Sequence, residues 1–104
     1  MAFADNLQQL PSVAHLTGLQ LLNTDGDVLA TIENKPGQAG SLALYNALAA
    51  RHGGITVAAA REGLALYAEH TEDARQNPGK HPNIDRLIQI IEQDQPLSVK
   101  LIEA

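Results

Sequence analysis

The chain has no cysteine and no tryptophan, and only three other aromatic residues, Phe3, Tyr45 and Tyr67. Without cysteine there are no disulfides, thiolate metal sites or thiol nucleophiles. With 3 % aromatics, a stacking platform for single-stranded nucleic acid has too few parts. Positive charge is also scarce. Seven Lys and Arg stand against twelve Asp and Glu, a formal net charge of -5. That balance argues against nucleic acid and anionic membrane as partners. No apolar run approaches the roughly 18 residues of a membrane span. The start, MAFADNLQQL, lacks the basic and apolar regions of a signal peptide. The expectation is one small cytoplasmic domain spanning 1–104.

What remains is an aliphatic core. The apolar fraction is 44 %, so the interior is built from Leu, Ile, Val and Ala. A chain of this length buries about two-thirds of its unfolded surface, enough for a core without staples.

Phe3, Leu7 and Leu10 lie at i, i+4, i+7 and predict a first helix over 3–10, stopped by Pro11. "LQLLNTDGDVLATIE" reads as two strands around Asp25-Gly26, a pair suited to the positive φ of a tight hairpin turn. Leu19 and Leu21 share one face. Val28, Ala30 and Ile32 share the matching face of the second strand, leaving Leu22 and Leu29 outward. "NKPGQAGS" is a loop, with Ser41 as the expected cap of the helix that ends at Gly53-Gly54. Thr56 caps another helix expected to run from Val57 to about Glu72, with Gly63 inside it. Pro78-Gly79 interrupts, and Pro82 suits the first turn of a new helix. There Ile84, Leu87, Ile88 and Ile91 form the most regular stripe in the chain. After Pro96, "LSVKLIE" alternates as a last strand.

Strands separated by a block of helices predict an α+β fold. The expected form is a small two-layer domain. A three-stranded antiparallel or mixed sheet, from a hairpin at about 18–33 and a strand at about 97–102, is packed by three to four helices. Leu22, Leu29 and Ile102 are expected on an open outer face. Such a face, or an unpaired edge, points to a homodimer or a protein partner.

Two stretches carry candidate chemistry. In "EHTEDARQNPGKHPNIDRL", Glu69 and Asp73 lie one helical turn apart, and His70 lies three residues before Asp73. A turn at Pro78-Gly79 can bring His81 back toward His70. Two imidazoles with carboxylates suit a divalent metal such as Zn²⁺, Mn²⁺ or Fe²⁺, so Glu69, His70, Asp73 and His81 form the candidate metal set. The same groups suit acid–base chemistry, with a carboxylate tuning His70. No H-E-x-x-H and no nucleophile elbow accompanies them, and a solvated helix end with a capped turn explains the same residues. In "KPGQAGS", Lys35, Gly37, Gly40 and Ser41 precede a helix and form a candidate anion-binding loop. It has neither a Walker A ending nor G-x-G-x-x-G, and glycines serving backbone geometry explain it equally. "NTDGD" is not a calcium loop: the first and twelfth positions would be Leu21 and Ile32.

The stretches "TIENKPGQAGSLALYNAL" and "EGLALYAEHTEDARQNPGKHPNIDRL" resemble a bacterial family catalogued as domain of unknown function 2322. The resemblance runs over nearly the whole chain and is densest from Thr31 to Ile91. It implies a small stand-alone proteobacterial protein and carries over no catalytic residue. The residues themselves put a non-catalytic interaction or homo-oligomeric protein first. A site at His70, Asp73 and His81 comes second, and an anion-binding module at Lys35–Ser41 third.

Overall fold

The computed structural model describes residues 2–104. In chain order it runs α1 (Phe3–Leu7), β1 (Leu16–Leu22), β2 (Val28–Glu33), α2 (Ala39–His52), α3 (Val57–Tyr67), α4 (Glu69–Gln76), α5 (Pro82–Gln93) and β3 (Ser98–Glu103). The sheet order is β2-β1-β3, with both pairings antiparallel. The fold is α+β, as the element order predicts. Among the described residues the helices number five, one more than the expected upper bound.

The extra helix comes from a break at Ala68. Its backbone takes φ 53°, outside the helical region and unusual for a residue with a Cβ. The break frees carbonyls that a continuous helix would satisfy. Thr71 Oγ1 donates to the Leu64 carbonyl at 2.6 Å, and the Asn6 side-chain amide donates to that of Leu66 at 2.8 Å. Those two bonds keep the interrupted backbone from being left unpaired in the interior. Thr56 caps α3 as expected, accepting from the Ala59 amide. Ser41 does not cap α2. The helix begins two residues earlier behind Gln38, whose side chain instead accepts from the Glu33 amide.

Leu19 and Leu21 are fully buried, and Ile32 nearly so, under α2. The core continues through Leu42, Leu44, Leu48, Leu87 and Ile84. Gly63 lies where α2, α3 and α5 meet: a Cβ there would come within 2.7 Å of Leu87 Cδ1 and 2.9 Å of Leu48 Cδ1. The missing methyl is what lets both leucines close over α3.

The hairpin is real but wider than a two-residue turn. Residues 23–27 form its loop, organised by Asn23 Oδ1, which accepts from the amides of Asp25 and Asp27. A register shift between Leu21 and Leu22 pairs Leu22 with Val28 and Leu21 with Ala30. Val28 therefore sits on the outer face with Leu22, not with Ala30 and Ile32 as strict alternation predicts. Leu29, 55 % exposed, borders a cleft beside Arg86 and Ile90 instead. The outer face carries Gln20, Thr31 and Lys100 in its middle row, with Leu22 and Ile102 half-buried.

Candidate functional site

The two candidate stretches, far apart in sequence, line one pocket. Gly37 and Ser41 come from the α2 entry, His70 from α4, and Lys80 and His81 from the turn before α5. Phe3 and Tyr67 complete the wall of a pocket of about 240 Å³. The break at Ala68 turns the chain between Tyr67 and His70 and so sets both at the pocket.

The wall is a run of rings. Phe3 stacks on Tyr67 with centroids 5.1 Å apart, and meets His70 edge-on at 5.1 Å. His70 in turn lies 5.7 Å from His81, centroid to centroid. Phe3 is held by its own backbone: its amide donates to Glu69 Oε1 at 2.8 Å. That hydrogen bond holds the Glu69 carboxyl below the ordinary glutamate range. Glu69 thus anchors α1 rather than joining the imidazoles. Gly40 does not line the pocket; a Cβ there would meet Leu7 at 3.2 Å and Phe3 at 3.5 Å, so its role is to seat α1.

Asp73 is the hub of the polar side. Its Oδ2 accepts from His81 Nε2 at 2.6 Å and from Lys80 Nζ at 3.0 Å, and its Oδ1 accepts from the Asn77 side-chain Nδ2 at 3.0 Å. The His81 hydrogen bond, followed by that of Lys80, lowers the Asp73 carboxyl to about 2. A carboxylate on Nε2 fixes the proton there and leaves Nδ1 of a neutral His81 as an acceptor; a protonated His81 would offer Nδ1–H as a donor. At the other end of the run of rings the Tyr67 hydroxyl donates to Ser41 Oγ at 2.7 Å, and burial raises its pKa well above the ordinary tyrosine value. It therefore stays a protonated donor at physiological pH.

The sequence-predicted residues sort clearly. His70 and His81 come together at the pocket, and Asp73 holds His81 from behind. Among the described residues no group of three or more His, Asp or Glu side chains is gathered so as to hold a metal ion. Lys35 pairs with Glu33 at 3.4 Å in solvent and takes no part in the pocket. The lysine at the pocket is Lys80, from the turn before α5. Phe3 reads as part of an apolar helix stripe, and no local signal marks it or Tyr67 as pocket lining.

Charge separates this pocket from the other clefts. Its lining holds Lys80, His70 and His81 and no carboxylate, in a chain of net charge -5. Asp25 and Asp94 border the cleft by the hairpin, Asp85 and Glu92 the one between α4 and α5, and no charged residue the one beside β3. The starts of α2 and α5 also meet here. The α5 carbonyl cap comes from His81, which accepts from the amides of Ile84 and Asp85, leaving the Asn83 amide at the pocket without a helical partner.

The fold and pocket define a small α+β domain whose basic-lined pocket is assembled from helix ends. By sequence, residues 3–101 match the family model described as "Uncharacterized protein conserved in bacteria (DUF2322)", and the chain belongs to that family. No curated protein matches it, and neither does any solved structure. Among the described residues no helix is long and apolar enough to cross a membrane.

Proposed function

We propose that this protein binds a small anion, a carboxylate- or phosphate-bearing molecule, in the pocket between α2, α4 and α5. One observation carries the reading: three basic side chains and no acidic one line a pocket in an acidic protein. Helix starts add partial positive charge at the same place, and Ser41, whose Oγ accepts from Tyr67, keeps its own O–H as a donor. Phe3 and the His70 ring give an apolar flank for a carbon skeleton. The anion would meet the His81 ring, whose Nε2 Asp73 holds from behind.

The reading is one of binding, without a nucleophile or a catalytic step. Amide chemical-shift titration with inorganic phosphate and, separately, oxalate tests it. Saturable shifts are expected at Gly37, Ser41, His70, Lys80 and His81. Unchanged spectra with both anions would sink it. Shifts spread over exposed lysines and arginines elsewhere would show mere ionic screening and count equally against it.

A further inference from the structure

A second feature, at the opposite side of the sheet from β2, does not depend on the pocket. β3 is an edge strand, and its backbone directions can be read rung by rung. Leu97 exchanges two hydrogen bonds with Ile55, N to O at 3.0 Å and O from N at 2.8 Å, on the side away from β1. The Ile102 carbonyl faces β1, accepting from Thr17 Oγ1, and the Ala104 amide donates to the His15 carbonyl at 3.0 Å on that same side. Peptide groups alternate direction along a strand. So even-numbered residues of β3 bond to β1, and odd-numbered ones point outward. Ile55 takes the first outward rung, at Leu97. Those of Val99, Leu101 and Glu103 lie beyond it.

The side chains of Val99 and Leu101 lie on the helix-facing side, in register with buried Leu21 and Leu19. Next to the free rungs they line a groove of about 230 Å³ with Asn46, Ala49, Ala50 and Gly53. Leu101 is 42 % exposed there, although it faces the layer of helices. An unpaired strand edge beside an apolar groove is a template for another strand.

We infer that β3 pairs antiparallel with β3 of a second copy about a two-fold axis at Leu101, joining two three-stranded sheets into one of six strands. The occupant is set by the strand's self-complementarity. Centred on Leu101, the pairing matches Leu101 with Leu101 of the partner subunit and Val99 with Glu103 of the partner subunit, so all three free rungs are used. Outer-face Lys100 then lies opposite Ile102 of the partner subunit. Moving the axis one residue toward the strand start sets Lys100 against its own copy and asks for the Leu97 rung that Ile55 already holds. Moving it one residue the other way sets Val99 beyond the partner strand, since β3 runs Ser98–Glu103. In the favoured register each copy's Leu101 closes the end of the other's groove, and Lys100 projects from the outer face into water.

The test combines light scattering with amide hydrogen exchange on the whole chain at about 1 mM, where even a weak dimer is populated. A mass of twice the chain is expected, with slow exchange at Val99 and Leu101. A monomer overturns the inference. So does a dimer whose Val99 and Leu101 amides exchange as fast as those of the loop at 23–27. Leu101→Pro is the matching variant. It removes an outward N–H without touching the bonds to β1, as edge strands tolerate. It is expected to weaken association about 30-fold, from two lost hydrogen bonds of ordinary net worth. A Leu101→Pro chain that keeps its amide protection at Leu19 and Leu21 and still dimerises fully would overturn the assignment too.

Discussion

His52 and His81 each follow a basic residue, Arg51 and Lys80, and each gives Nε2 to a carboxylate: His52 to Glu62 at 2.7 Å, His81 to Asp73 at 2.6 Å. In both pairs the preceding cation reaches the same carboxylate. Both imidazoles are 25 % exposed in their side chains. The local chemistry is nearly identical. The surroundings are not. His52 and Arg51, at the C-terminus of α2, tie that helix end to α3 and border none of the four clefts. His81 ties α5 to α4 and also stands on the wall of a pocket with no acidic lining. A histidine–carboxylate pair is thus a corner clamp in one place and a clamp plus a ligand-facing group in the other. The difference lies in whether the imidazole borders a pocket, which no local motif encodes.

Breaking each pair in turn should separate these roles. The largest expected effect is on binding. His81→Ala should weaken phosphate or oxalate binding at least about tenfold, the worth of one charge-assisted hydrogen bond. His52→Ala should change it less than about twofold, as calorimetric titration can check. Equal losses in both variants would erase the contrast.

The break that aims the pocket rings is next. Ala68 holds φ 53°, a conformation glycine adopts with less strain. Ala68→Gly should therefore raise stability by about 1 kcal/mol, or Tm by roughly 5 °C. A fall in Tm would mean that the Ala68 methyl contributes more by packing than its backbone costs.

Acid sharpens the comparison further. Asp73 titrates at about 2 in the fold against an ordinary 3.8, so the unfolded chain takes up that proton first. The contribution of the His81–Asp73 pair is full above about pH 4 and is lost as pH falls toward 2. The Glu62 carboxyl is also held low, chiefly by its His52 hydrogen bond, so its contribution is present above the ordinary 4.5 and is lost below it. Asp73→Asn and Glu62→Gln should each flatten part of the acid limb of a stability–pH profile followed by circular dichroism. The Asp73 variant should act at the lower pH. A profile that neither variant alters would show that both pairs contribute nothing to stability.

The smallest effect is expected at the solvent pair. Glu33 and Lys35 are 58 % and 52 % exposed in their side chains, and Glu33→Gln should shift stability by less than about 0.5 kcal/mol in urea unfolding.

Much of this architecture was legible because it rests on periodicity and a few backbone specialists. The stripe Ile84, Leu87, Ile88, Ile91 sets α5, Pro82 opens it, Gly53 closes α2 in the left-handed region, and Thr56 caps α3. Each is decided within one or two turns of chain, so the sequence neighbourhood holds the physics. The break at Ala68 was not legible. Alanine is the strongest helix former, and nothing local opposes a continuous helix there. The bonds that satisfy the freed carbonyls come from Asn6, sixty residues away from Leu66, and from Thr71. The same holds for Val28, turned outward by the register shift at Leu21/Leu22, a property of the strand pair rather than of either strand.

By itself the sequence determined the α+β order, the aliphatic core, the net charge of -5 and the short set of residues able to do chemistry. It named both stretches that border the pocket. Tertiary structure decided that they border the same one. It sent Glu69 to the Phe3 amide and Lys35 to Glu33, put Lys80 rather than Lys35 at the pocket, and brought in Tyr67 from outside both stretches. The physical reason is range. Helix and strand signals act over a few residues, whereas a pocket's charge is the sum of side chains that only packing brings within reach of one another.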